Sequence, residues 1–219
     1  MPIPPGHISQ APLFIGMTES EVTQIANQSY LTLRHHAKGS MVNARGNECT
    51  HLIMVTKGWM ETENTSSNEG YRIVELVQAP QLLEPEKLFG ISHHYHTSIR
   101  AYTACESIAM PKDRVLELMR DSLIFRLNML NILSRKSQIQ EQHLWQARTA
   151  DNTNAIIQFI REHCSYPTGK KTIYIKMTQL AQELNRNRLE ISQALNAMAE
   201  AEKIILKRGI IEVPALQML

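Results

Sequence analysis

"TQLAQELNRNRLEISQALNAM", residues 178–198, reads as two short helices joined by a tight turn. Thr178 is placed to cap the first helix, whose Leu180, Ala181 and Leu184 face inward. Asn185 stands where the chain must turn, and Asn tolerates the left-handed backbone that a tight turn needs. Asn187 caps the second helix, with Glu190 three residues on as its capping-box partner. Ile191, Ala194, Leu195 and Met198 form the inner face of that helix. Arg188, Ser192, Gln193 and Asn196 are left outside as a donor-rich surface. An ordinary helical hairpin with a solvated face would show the same pattern, so the flanking sequence has to decide between the two.

The next stretch, "KIILKRGIIEV", places two β-type runs around Lys207-Arg208-Gly209. A hairpin with a basic tip beside a helix-turn-helix is a wing, able to lie along phosphates. From Lys170 to Arg208 there are eight Lys or Arg against four Glu, a local charge of 8 − 4 = +4. The whole chain carries 23 basic and 21 acidic residues, a net charge of only +2. Local positive charge on a near-neutral whole is what phosphate contact requires. On this reading Arg188, Ser192 and Gln193 reach base edges, with Asn187 and Asn196 on the same helix. Thr178, Lys207 and Arg208 position the backbone.

Upstream the text is different. Between about Ser29 and Pro111, Gly39, Gly46, Gly58 and Gly70 punctuate short apolar runs. Turn signals at this spacing predict an all-β roll, barrel or sandwich, and Lys57-Gly58 reads as a hairpin turn. Tyr71, Ile73, Glu75 and Val77 alternate with Arg72, Val74 and Leu76. "KDRVLELMRD" is then a short helix. A run without Gly or Pro follows, in which Leu123, Leu127, Leu130, Ser134, Ser137, Glu141 and Leu144 recur on three- and four-residue steps. Such a stripe packs either against a copy of itself or onto the chain's own β-domain. Asp151 or Asn152 caps the following helix. The fold class expected is α+β, in three parts. These are a β-roll over 1–121, a long dimerisation helix over 122–150 and a winged helix-turn-helix over 151–219.

Composition excludes several classes. The chain is 219 residues long and 43% apolar, enough for a real core. Cys49, Cys105 and Cys164 are odd in number and far apart, which argues against a disulfide framework or a clustered metal site. There is no basic-then-apolar leader and no 18-residue apolar run, so a soluble cytoplasmic protein without a membrane partner is expected.

The order of roll, long helix and winged helix-turn-helix resembles the Crp/Fnr family of bacterial transcription regulators over nearly the whole chain. The resemblance rests on "AKGSMVNARGNECTHLIMVTKGWMET", on "IRAYTAC" (Ile99 to Cys105), and on Thr178, Leu180, Ala181, Leu184, Arg188, Ile191, Ser192 and Leu195. It implies a non-enzymatic homodimer that reads a palindromic site on double-stranded DNA, with RNA polymerase as a further partner. In the cyclic-nucleotide-binding members, a glycine and a glutamate are followed by an arginine and a serine that together hold the ribose and the phosphate. Aligned on "RAYTAC", the glutamate is Glu84, but the glycine is Leu83, the arginine is Tyr95 and the serine position is His96. Tyrosine cannot form a bidentate cationic clamp on a phosphodiester. Control by cyclic AMP is therefore not expected, and Glu84, Tyr95 and His96 either mark the pocket for some other effector or border a solvated loop of a roll that holds none. In the reading helix, Leu189 stands where the family often carries a glutamate, and Gln193 where it often carries a second arginine.

"GISHHYHTSIRAYTA", residues 90–104, leaves a second reading open: His93, His94 and His96 as ligands of a metal- or haem-binding sensor, or of a β-barrel enzyme. No resident cofactor is expected under the regulator reading.

Overall fold

The computed structural model describes residues 3–28, 30–145 and 149–219. In chain order the elements are α1 (Glu19–Ala26), β1 (Thr32–His36), β2 (Met41–Asn43), β3 (His51–Lys57), β4 (Trp59–Thr65), β5 (Tyr71–Gln78) and β6 (Gln81–Leu83). Then come β7 (Ser98–Ala101), β8 (Cys105–Pro111), α2 (Lys112–Asp121), α3 (Leu123–Trp145) and α4 (Asn152–His163). The chain ends with β9 (Lys171–Ile175), α5 (Met177–Glu183), α6 (Arg188–Glu200), β10 (Ile205–Lys207) and β11 (Ile210–Val213). Among the described residues no helix is long and apolar enough to cross a membrane.

The chain divides into two compact units, Met1–Met60 with Gln78–Gln142, and Glu61–Val77 with His143–Leu219. In the first, β1, β8, β3 and β6 form one antiparallel sheet, and β2 pairs with β7. Leu52, Met54, Ile108 and Met110 are buried along β3 and β8. The strands are short and joined by glycine-marked turns, which is the jelly-roll-like architecture expected. The turn at Lys57-Gly58 is not a hairpin, however. β3 pairs with β6 and β8, while β4 lies next to β5. Gly58 has φ 96°, and a Cβ there would sit 2.5 Å from the Ala104 carbonyl oxygen. It serves a change of sheet in a place too tight for any side chain.

Also in the first unit, Thr18 caps α1 in a capping box with Glu21, a Thr-x-x-Glu spacing visible in the sequence. The N-terminal turns dock on α3. Phe14 meets Phe125 edge-on at 5.7 Å, and the Asn128 side-chain amide donates to the carbonyls of Leu13 (3.0 Å) and Ile15 (2.9 Å). Phe125 and Met129 are fully buried, whereas Leu123, Leu127 and Leu130 are 58%, 48% and 47% exposed. The helix thus has two apolar sides, of which one is covered among the described residues. The side chain of Leu144, counted in that stripe, lies outside the described residues.

The second unit packs α4, α5 and α6 against a sheet ordered β10-β11-β9-β5-β4. Ile156, Phe159, Ile173, Leu180, Ile191, Leu195, Met198 and Val213 make its core, joined by Ile73 from β5. Residues 61–77, expected inside the roll segment, therefore count with the C-terminal unit. The physical reason is backbone pairing of β5 to β9, from Tyr71↔Ile175 to Glu75↔Lys171. That last pair is a fully buried ion pair. The Glu75 carboxylate accepts from Lys171 Nζ (2.7 Å), the Ser165 N–H (2.8 Å) and the Tyr166 N–H (3.1 Å). Alternation puts Glu75 in one row with Ile73 and Val77, and all three are buried.

Candidate nucleic-acid interface

α5 and α6 form the two helices read from the sequence. Thr178 is not the cap of α5: the helix begins one residue earlier, Lys176 occupies the N-cap without a side-chain hydrogen bond, and Thr178 lies exposed in the first turn. The left-handed backbone at Asn185 is as read, with φ 51° between the helices. Asn187 caps α6, its Oδ1 accepting the Leu189 N–H at 2.8 Å. Glu190 does not complete a capping box. Its carboxylate instead accepts from the Asn152 side-chain amide at 3.4 Å.

Ile191, Leu195 and Met198 are buried on one side of α6. Arg188, Gln193 and Asn196 are exposed on the other, and Ser192 is half-buried. Arg188, Gln193 and Asn196 make no side-chain hydrogen bond or ion pair among the described residues. Their polar groups are presented outward, where only water or a partner can satisfy them. Leu189, 66% exposed, lies among them.

The wing forms as read: β10 and β11 pair around exposed Arg208 and Gly209, whose φ is 72°. Its charge is smaller than the sequence count. Lys207 is ion-paired with Glu212, and Lys170 lies 3.9 Å from the same carboxylate. The Lys207 contact, ahead of the cost of burial, holds the Glu212 carboxyl below its usual range. Lys171, counted among the surface cations, is inside the unit against Glu75. Exposed Arg188 and Arg208 remain as the cations of the reading helix and the wing tip.

The other candidate site lies in the first unit. Glu84 adopts a left-handed backbone with φ 38°, just before a turn of 3-10 helix. Its carboxylate accepts from the N–H of His96 (2.7 Å) and of Thr97 (2.8 Å) and from the Thr97 hydroxyl. Tyr95 is buried, its hydroxyl donating to the His51 carbonyl at 3.0 Å. Burial first, then the neighbouring Cys49 thiol, pushes that phenol far above its ordinary range. The side chain of His96 is exposed. So Glu84 meets the backbone of His96 rather than sharing a cavity with its imidazole. A cleft of about 300 Å³ beside Tyr95 is lined by Arg34, Asn43, Glu48, Thr50 and His51, and neither Glu84 nor His96 borders it. Nearby, His93 Nδ1 lies 3.4 Å from the Lys87 carbonyl, while His94 pairs through its backbone with Glu48. Among the described residues no three of His, Cys, Asp or Glu are placed to hold one metal ion.

Comparison with known proteins adds to this geometry. Residues 33–122 match the family model of the cyclic nucleotide-binding domain. Comparison with curated proteins gives no match. Among solved structures, the catabolite activator protein of Thermus thermophilus is similar at 21% identity, with 93% of each chain covered and a TM-score of 0.52. The c-di-GMP responsive global regulator CLP of Xanthomonas campestris is similar at 15% identity, over 85% of this chain and 95% of that one, with a TM-score of 0.46. Residues 33–122 thus match a cyclic nucleotide-binding domain, and the chain as a whole shares its fold of β-roll, long helix and winged helix-turn-helix with that catabolite activator protein.

Proposed function

We propose that the chain is a cytoplasmic, homodimeric transcription regulator that binds a palindromic DNA site through α6 and is not controlled by cyclic AMP. The observation that carries this reading is the outward row of α6. Arg188, Gln193 and Asn196 present donors and acceptors with no partner among the described residues, on a helix whose opposite side is core. Base edges in a major groove satisfy such a row, and Gln suits adenine while Arg suits guanine. The wing tip, with Arg208 exposed, then follows the phosphates.

Leu123, Leu127 and Leu130 support pairing of α3 with a second copy, because they are exposed while Phe125 and Met129 fill the chain's own core. A pair of reading helices about 34 Å apart, one DNA turn, matches two half-sites. RNA polymerase is the protein partner that such a regulator addresses. At the roll, Tyr95 supplies no cation, and the Glu84 carboxylate already holds two backbone amides. Those two facts support a roll that does not answer to cyclic AMP.

The test is mobility shift on DNA selected from a random pool, repeated across a salt series. Sequence-selective binding that weakens steeply with salt supports the reading. Indifference to both sequence and salt overturns it. Light scattering gives the second half: a dimer is expected, reduced to monomer by Leu127→Glu with Leu130→Glu. Calorimetry with cyclic AMP is expected to show no binding in the micromolar range.

A further inference from the structure

Leu189 is out of place by the logic of its helix. The apolar side of α6 is Ile191, Leu195 and Met198, all buried. Leu189 instead shares a row with Ser192, Gln193 and Asn196, at the i, i+3, i+4, i+7 spacing that puts residues on one helix face. Single exposed leucines are ordinary on protein surfaces. This one is set apart by position, in the first turn of the reading helix and 66% exposed at the head of a hydrogen-bonding row. It is also held in place, since its N–H is bonded to the Asn187 cap at 2.8 Å.

Resting on the DNA-reading role above, we infer that Leu189 is a specificity-determining residue that reads the 5-methyl group of a thymine in each half-site. The major groove shows one exposed apolar group, the thymine methyl, and apolar side chains select it by contact. Residues at the N-terminal end of a recognition helix are the ones that approach base edges. A hydrogen-bonding side chain at 189 would find no partner on that methyl, whereas leucine gains by covering it. Gln193, one turn further on the same face, is suited to an adenine in the same half-site.

The experiment uses the full-length dimer and sites selected from random DNA by the wild type and by Leu189→Ala. The wild type is expected to select thymine at one fixed position of each half-site, and Leu189→Ala to lose that preference while keeping the rest of the site. Uracil, which differs from thymine only by the methyl, is then placed at that position. Wild-type affinity should fall about fourfold per half-site, the equivalent of burying one methyl-sized group. Leu189→Ala should bind the two probes equally, and Leu189→Met should restore the difference. Wild-type binding that is indifferent to the methyl overturns this inference alone. Failure to select any DNA removes the regulator reading, and this inference with it. The side chain is exposed, so Leu189→Ala should fold normally, which its thermal transition checks.

Discussion

The turn around Glu84 and the outer face of α6 are both rich in polar groups, and they treat those groups in opposite ways. At the turn, one carboxylate collects two backbone amides and a hydroxyl. On α6, Arg188, Gln193 and Asn196 are left without partners among the described residues. A polar group satisfied inside the chain contributes to the stability of the fold. One held out in water costs the fold little and is available to a ligand. The contrast separates residues bound into this molecule from residues left open to a ligand.

The contrast predicts that changes to inward groups alter stability and leave DNA preference intact, while changes to outward groups do the reverse. The largest effect belongs to the buried pair in the second unit. Lys171→Met leaves the Glu75 carboxylate uncompensated and should cost about 3–5 kcal/mol in chemical denaturation. Adding Glu75→Gln should recover much of that loss. Next comes Glu84→Ala, which orphans the amides of His96 and Thr97 and should cost about 1–3 kcal/mol without changing the selected DNA site. On the outward side, Gln193→Ala should remove about 1–3 kcal/mol of discrimination at one base position, read by binding to a panel of single-base variants, with unfolding unchanged. Lys207→Ala should weaken all sites about equally and lower the salt slope by about 1. Its effect is small because Glu212 already neutralises part of that charge.

The smallest effect is a pH dependence. Burial first, and then the charges of Arg34 and His35, lower the affinity of His36 for a proton, and its Nε2 lies 2.8 Å from the Ser107 hydroxyl. A depressed folded-state pKa contributes stability that is present above the unfolded value and is lost as pH falls through it. Melting temperature should therefore decline between about pH 7 and pH 5, and His36→Gln should flatten part of that decline. A decline of the same size in the variant would remove His36 as a cause.

Features set by short-range pattern were legible in the sequence, and features set by distant pairing were not. The apolar spacing of Leu180, Leu184, Ile191 and Leu195 fixes two helices, and Asn185 and Asn187 mark the turn and cap by local chemistry. Lys57-Gly58 misleads because a glycine between two apolar runs looks alike in a hairpin and in a change of sheet. What decides is that β3 pairs with residues 81–83 and 106–111, far along the chain. Glu75 shows the same division. The alternation of β5 reveals a charge pointing inward, but its partner is 96 residues away. On α6 the sequence identifies Leu189 as a departure from the Crp/Fnr pattern that the chain resembles. Only its exposure shows that the departure faces outward.

One consequence concerns how this molecule can be cut. β9 borrows an edge from β5, and with it the inward-facing Ile73 and the counter-charge for Lys171. A fragment beginning at residue 143 would lack all three. It would carry an open row of backbone donors and acceptors beside an unmatched ammonium, the kind of edge through which chains stack on one another. The C-terminal unit is therefore not a detachable cassette. Trimming or domain shuffling that treats it as one continuous tail would yield an insoluble product, unless the missing ribbon were grafted back.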